Sequence, residues 1–258
     1  ADGIAAARET MARAQMVENG KPLRECLAQA GSAAAVFRYY AAACETLESA
    51  MPPQRGAWLG MTTHEPYGLV AAITPWNSPL TMESQKLAPA LAAGNAVVLK
   101  PSEVTSLPAL ELARICAAAG LPEGVLSVLP GMGGVVGPAL VGHPDVRMVT
   151  FTGGTETGRR IAVDCARRLV PVALELGGKS PHILFEDADV ETACNSVVDG
   201  IFEGLGQSCV AGSRLFVHRS RMDEVLARLK ALAEGLRIGM PTDPATDLGA
   251  LSSHQHRD

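Results

Sequence analysis

The chain has 258 residues, of which 47% are hydrophobic and 19% are charged, as is typical of a globular protein with one large core or two modest ones. The formal net charge is -5 and no run of basic residues occurs, so nucleic acid and anionic membrane surfaces are not expected as partners. Six widely spaced cysteines without a CxxC pair argue against a metal site and a disulfide framework. The apolar runs are too short to cross a bilayer, and we expect a cytoplasmic protein with a small-molecule partner.

The first 66 residues predict two helices followed by an irregular segment. Residues 3–19 and 31–50 are alanine-rich with charges at helical intervals, and Gly20 and Pro22 between them are a helix stop and a helix start. Prolines and glycines in 51–66 predict an extended, partly exposed excursion. Because the chain opens within a helical pattern and stops without a closing element, we expect it to be a piece of a longer protein.

From residue 69 onward, short apolar strands alternate with helices. The predicted strands are 69–74, 96–99, 125–129, 148–151 and 171–174, and the helices are 79–92, 106–119, 134–142 and 155–167. This alternation predicts an α/β fold, with a parallel sheet that is covered on both faces, as in dinucleotide-binding folds. A second series follows, with strands at 182–185 and 215–217 and helices at 189–203 and 221–234, and Gly177-Gly178 is the expected crossover.

Cys209 lies in Gly206-Gln207-Ser208-Cys209-Val210, just after an apolar helical pattern. A free cysteine is more often inert packing than a reactive group. With an acid–base partner nearby, however, a thiol can hold a substrate covalently.

Two strand ends supply candidate partners for this thiol. Asn77 follows Ile73-Thr74-Pro75-Trp76, and its amide could donate to an oxyanion or cap the helix that begins near Pro79. Glu175, between Leu174 and Leu176, is expected to be partly desolvated, an environment suited to a general base. The alternative for Glu175 is a structural carboxylate that accepts nearby amides.

Three further turns lie where a parallel sheet binds ligands. Lys100 and Glu103 follow a strand and could contact a ribose or a phosphate, or could form a solvated turn. The glycine-rich segments 131–137 and 151–158 each join a strand to a helix, where free amides and the helix dipole favour phosphate. Either segment could instead be a tight turn, and 131–137 departs from GxGxxG by one displaced glycine.

The order and approximate spacing of these motifs resemble the aldehyde dehydrogenase superfamily, in its NAD(P)-dependent, non-acylating branch. The motifs are Pro75-Trp76-Asn77, Lys100-Pro101-Ser102-Glu103, Phe151-Thr152-Gly153-Gly154-Thr155-Glu156, Glu175-Leu176-Gly177-Gly178-Lys179 and Gly206-Gln207-Ser208-Cys209. The resemblance covers essentially the whole chain but only about half of a typical member. The chain stops before the family's glutamate-phenylalanine motif, and Gly154 stands where the family commonly has serine.

This resemblance implies that Cys209 attacks an aldehyde, that Asn77 and the Cys209 amide hold the oxyanion, and that Glu175 activates the water that releases a carboxylic acid. Glu103, as an acceptor for the adenosine ribose, would repel a 2'-phosphate, which favours NAD over NADP. The residues expected along the cofactor path are Thr74, Pro75, Trp76, Lys100, Glu103, Gly133, Gly137, Phe151, Thr152, Gly153, Gly154, Leu176 and Gly177.

The resemblance also divides the chain into segments. Residues 1–47 and 67–177 would form a Rossmann-like NAD-binding domain, 48–66 an oligomerisation hairpin, and 178–258 the first part of a second, catalytic α/β domain. The full-length protein would be a homodimer or homotetramer, and the fragment alone would be inactive. Three alternatives stay open: a CoA-acylating relative, a non-catalytic dinucleotide-binding scaffold of the same fold, and a cysteine hydrolase, for which no histidine lies in a matching motif.

Overall fold

The computed structural model describes residues 1–257, which form ten α-helices and seven β-strands. The strands are β1 Leu69–Ile73, β2 Ala96–Lys100, β3 Leu126–Val128, β4 Val146–Gly153, β5 Val172–Leu176, β6 Pro181–Leu184 and β7 Arg214–Val217. The helices are α1 Asp2–Ala6, α2 Arg8–Asn19, α3 Leu23–Glu45, α4 Pro79–Ala92, α5 Leu107–Ala118, α6 Gly133–Gly142, α7 Thr155–Arg168, α8 Val190–Phe202, α9 Met222–Glu234 and α10 His254–Arg257. Two 3-10 turns span Glu203–Gly206 and Arg219–Arg221.

The first five strands form one parallel sheet in the order β3-β2-β1-β4-β5. Alternate residues of β1 enter two different cores: Val70 and Ala72 pack with α1–α5, whereas Ala71 and Ile73 pack with α6 and α7. A strand that is buried on both faces needs apolar residues at every position, which explains the sequence of β1. The predicted covered parallel sheet is therefore confirmed.

The second unit begins after β5. Its strands β6 and β7 pair in parallel, and α8 and α9 pack on them around Leu184, Cys194 and Val225. The side chain of Asp189 caps α8 by accepting a hydrogen bond from the Thr192 amide at 2.8 Å. Among residues 1–257, no helix is both long and apolar enough to cross a membrane.

The N-terminal elements differ from the sequence prediction. The helix predicted at 3–19 is divided at Ala7, and the second begins at Leu23 instead of residue 31 and ends at Glu45 instead of residue 50. The early start follows from Pro22 at the N-cap, together with apolar residues at helical spacing such as Cys26 and Ala30, which enter the core. The expected 48–66 hairpin contains no regular strand; its one antiparallel bridge joins Ala50 and Thr62.

Candidate active site

The carboxyl ends of β1, β2, β4 and β5 meet at one edge of the sheet, because all of these strands are parallel. The strand order reverses between β1 and β4, and a doubly wound sheet binds its ligands at this switch point. Two adjoining cavities open there, of about 760 Å³ and about 480 Å³. We name them the thiol cavity and the strand-end cavity.

The thiol cavity lies between the first sheet and the second unit. Cys209 is half-buried and lines it, so the structure places this thiol in a cleft and not in a packed core. Cys26, Cys165 and Cys194, by contrast, are buried. Further residues that line the thiol cavity are Gln29, Trp76, Asn77, Ser78, Met82, Leu176, Gly177, Lys179, Gln207 and Val210.

Asn77 is held towards the loop of Cys209. Its Nδ2 donates a hydrogen bond to the backbone carbonyl of Gln207 at 2.7 Å, across 130 residues of sequence. Ser78 is the N-cap residue of α4 and no side chain caps that helix, so the capping alternative for Asn77 is not observed. A primary amide has two N–H donors, and the second one of Asn77 is available to a ligand.

The backbone before Cys209 makes an unusually tight turn. Gly204, Leu205 and Gly206 all have positive φ, at 64°, 64° and 70°. This conformation is strained for Leu205, and strain of this kind is concentrated at functional sites. On the other side of the loop, a Cβ on Gly178 would lie 3.1 Å from the Cys209 carbonyl oxygen, so glycine allows the segment after β5 to approach Cys209 closely.

Glu175 differs from the expectation of partial desolvation, because its side chain is exposed. The strand β5 is at the edge of the sheet, and Leu174 and Leu176 turn towards the α6–α7 core while Glu175 faces the opposite way. Glu175 is not among the residues that line the thiol cavity, whereas Leu176 and Gly177 directly after it are. Its carboxylate has no hydrogen-bond partner among the described residues.

Lys86 on α4 is a polar residue of this region that the sequence analysis missed. It is 7% exposed, and its Nζ donates to Thr150 Oγ1 at 2.9 Å. Burial lowers the pKa of Lys86 to about 8, an effect that the nearby charge of Glu175 opposes. An amine that titrates close to neutral pH beside a carboxylate can exchange protons with it or with water. No simple sequence signal marks Lys86, because the buried side of α4 also contains the polar residues Glu83 and Ser84.

The strand-end cavity contains most of the residues expected along the cofactor path. Lys100 Nζ contacts Glu103 Oε2 at 3.0 Å, and the lysine side chain is almost fully buried. Burial acts to raise the pKa of Glu103, but backbone amides and Lys100 outweigh it and hold that pKa below its ordinary value. Gly133 begins α6 directly beside this pair. An ionised carboxylate at this point suits hydroxyl donors and disfavours a phosphate.

Two buried hydroxyls in this cavity have no partner within the described protein. They belong to Thr74, which directly follows β1, and to Thr152 on the neighbouring strand β4. Gly154 is the N-cap of α7, whose first amides are free for an anion. Unpaired hydroxyls, a helix N-terminus, and a lysine–glutamate pair together fit a dinucleotide.

The two cavities share Pro75, Trp76, Thr152, Gly153 and Gly154. Of the expected cofactor residues, only Leu176 and Gly177 lie in the thiol cavity and not in the strand-end cavity. A ligand that extends from one cavity into the other would therefore end beside Cys209.

Met82 and His256 also line the thiol cavity. Gln85, on the next turn of α4 after Met82, is exposed and does not line it. His256 lies against Trp76 with ring centroids 4.8 Å apart. Lys21 and Glu25 were not predicted to contribute to the region, and each contacts one of its loops.

Comparison with known proteins identifies the family of the chain. A family model described as "Aldehyde dehydrogenase family" matches residues 1–258. The chain is 42% identical to (Z)-2-((N-methylformamido)methylene)-5-hydroxybutyrolactone dehydrogenase of Acinetobacter baylyi, and 42% identical to the NADP/NAD-dependent aldehyde dehydrogenase PuuC of Escherichia coli. Both alignments cover 100% of this chain and 53% of the relative.

Solved structures show the same relationship. The crystal structure of PnpE in complex with nicotinamide adenine dinucleotide superposes with a TM-score of 0.96 at 42% identity, over 99% of this chain and 53% of that one. An NAD+ complex of an aldehyde dehydrogenase from Bacillus cereus superposes with a TM-score of 0.96 at 40% identity, over 99% of this chain and 52% of that one. The chain thus spans about half the length of the relatives that it matches. It belongs to the aldehyde dehydrogenase family.

Proposed function

We propose that the protein containing these residues oxidises a small aldehyde to a carboxylic acid with NAD, through a thiohemiacetal and a thioester on Cys209. The observation that carries the proposal is the meeting of Cys209 and Asn77 in one cavity that is continuous with the strand-end cavity. Neither residue alone would support it, because a half-buried thiol and a bonded amide are each common.

The proposed mechanism uses each residue for one step. The Cys209 thiolate attacks the aldehyde carbon, and the free N–H of Asn77 and the Cys209 amide stabilise the resulting oxyanion. When bound, NAD would supply the two-electron acceptor for the hydride on the thiohemiacetal carbon, and loss of that hydride leaves the thioester on Cys209. The thioester is then hydrolysed by a water molecule from which Glu175 removes a proton. Two observations support this role. Glu175 directly precedes Leu176 and Gly177, which line the thiol cavity, and its exposed side chain has room to turn towards that cavity.

The strand-end cavity is proposed to hold NAD. Lys100 and Glu103 would bind the adenosine ribose, and the N-terminus of α7 would face the pyrophosphate. The unpaired hydroxyls of Thr74 and Thr152 would donate hydrogen bonds to the cofactor. The relatives solved with NAD support this assignment. NADP is disfavoured by the ionised Glu103.

Two coarser features of the full-length protein are also proposed. The 48–66 segment exposes Trp58 to 85%, Leu59 to 70% and Met61 to 62%, which suits contact with another copy of the chain in a homodimer or homotetramer. Light scattering of the full-length protein tests this, and a monomeric mass would contradict it. We propose a cytoplasmic location, which fractionation of cells checks.

Stopped-flow measurement of NADH in the full-length protein tests the mechanism. We expect Cys209→Ala to abolish NADH formation, whereas Glu175→Gln should give one burst of NADH and then stall at the thioester. The matched controls are Cys44→Ala and Glu234→Gln, which change exposed residues outside both cavities. Equal loss of the burst in both active-site variants would contradict these roles, and turnover of Glu175→Gln that requires CoA would favour the CoA-acylating alternative.

A further inference from the structure

The start of α3 contacts the loop that carries Asn77. Lys21 lies just before Pro22, the N-cap of this helix, and is 3% exposed; its Nζ donates a hydrogen bond to Ser78 Oγ at 3.2 Å. Ser78 is the neighbour of Asn77 and also lines the thiol cavity. The lysine therefore holds the hydroxyl next to the proposed oxyanion donor.

The same turn of α3 contacts the loop that carries Cys209. Glu25 Oε2 accepts a hydrogen bond from the Gly204 amide at 3.1 Å, at the beginning of the tight turn that leads to Cys209. Lys21 packs against the same glycine, since a Cβ on Gly204 would lie 3.1 Å from Lys21 Nζ. The two side chains, which we name the α3 clamp, thus reach both loops from one rigid helix end.

Burying this pair is energetically unfavourable for each member. Burial lowers the pKa of Lys21, and the charges of Glu25, Cys26 and Glu203 oppose that shift. Burial likewise raises the pKa of Glu25, opposed chiefly by Lys21. Because apolar residues of similar size often stabilise such positions at least as well, stability alone does not explain the clamp.

We propose that Lys21 and Glu25 are positioning residues, which hold the loops of Asn77 and Cys209 at the separation that the reaction requires. The inference rests on the proposed function. Displacement of a catalytic group by about 1 Å can cost on the order of a hundredfold in rate, so loss of either contact affects kcat. No described hydrogen bond joins the clamp to a residue of the strand-end cavity. We therefore expect the affinity for the cofactor to stay unchanged.

The test compares variants of the full-length protein by steady-state kinetics and by the rate at which iodoacetamide modifies Cys209 in a Cys44→Ser background. Lys21→Met and Glu25→Met are expected to lower kcat by about tenfold or more while KM for NAD stays within about twofold. Glu25→Gln keeps an acceptor for the Gly204 amide and should restore most of kcat. Arg24→Met is the control, because Arg24 lies between them but contacts the Thr246 carbonyl and Asp247.

The inference is overturned if Lys21→Met and Glu25→Met keep both the wild-type kcat and the wild-type modification rate, or if Glu25→Gln is as defective as Glu25→Met. Should the methionine variants fail to fold, Ser78→Ala removes only the hydroxyl that Lys21 contacts, and an unchanged kcat and modification rate would overturn the role of Lys21. Failure of the inference can be distinguished from failure of the proposed function, because iodoacetamide modifies Cys209 whether or not the protein oxidises an aldehyde.

Discussion

Asn77 and Gln207 are joined by a hydrogen bond of 2.7 Å between the Asn77 amide and the Gln207 carbonyl. The bond connects the end of β1 in the first unit to the loop of Cys209 in the second. It fixes the amide of Asn77 close to the thiol cavity and uses only one of its two N–H donors. One side chain thereby connects the two units and presents a donor to a ligand.

Replacement of Asn77 by alanine removes both functions. We expect Asn77→Ala to lower kcat by roughly 100- to 1000-fold, the usual cost of losing one oxyanion donor. Steady-state NADH formation by the full-length protein measures this, with Asn195→Ala on α8 as the control, because that amide bonds only within its helix. A kcat close to that of wild type would show that Asn77 is a structural connector.

Reaction with a thiol reagent should be selective for Cys209 once the exposed Cys44 is replaced. Burial raises the pKa of Cys26, Cys116, Cys165 and Cys194, which lowers their thiolate fractions. We expect mass spectrometry of iodoacetamide-treated Cys44→Ser protein to find Cys209 modified first. Modification of one of the four other cysteines ahead of Cys209 would favour the non-catalytic scaffold.

Cofactor choice should depend on the charge of Glu103. Glu103→Gln removes the repulsion of a 2'-phosphate, and we expect the ratio of kcat/KM for NADP to that for NAD to rise by about tenfold or more. Kinetics with both cofactors measure the ratio, and Glu111→Gln on α5, a half-buried position outside both cavities, is the control. An unchanged ratio would show that Glu103 does not lie near the ribose.

Lys86 should make stability depend on pH in the alkaline range. Its pKa in the folded protein is about 8, below the ordinary 10.5, so between these values the unfolded state binds more protons and stability rises with pH. We expect the free energy of unfolding of wild type, relative to Lys86→Met, to increase by about 2 kcal/mol between about pH 7 and about pH 9.5. Urea unfolding at both pH values measures it. Lys230→Met, at an exposed site, should show no such difference.

Residues 1–258 assayed alone should turn over aldehydes at less than about 1% of the rate of the full-length protein. The physical reason is the exposure of the second unit: its sheet has two strands and leaves Ile183, Phe185 and Phe216 more than half exposed. A sheet of only two strands is marginally stable by itself, so it does not hold the loop of Cys209 in a fixed position. Comparison of NADH formation by the two proteins measures this, and family-like rates from these residues alone would contradict it.

The residues of the sequence by themselves determined the covered parallel sheet and the approximate places of Cys209, Asn77 and Glu103. Strands such as β1 are apolar at every position, and glycine or proline marks the strand ends, so local pattern is sufficient. The helix boundaries near Ala7 and Leu23 were less predictable, because tertiary packing there overrides local propensity.

Only the tertiary structure decided which side chains meet. Several contacts of the site join residues that are distant in sequence. They are the bond between Asn77 and Gln207, the contacts of Lys21 and Glu25 with the two loops, and the bond of the buried Lys86 to Thr150. The exposure of Glu175 likewise follows from the edge position of β5, which the composition of that strand does not reveal. Burial and hydrogen-bond geometry depend on the packing of separate elements, and a local pattern carries no information about it.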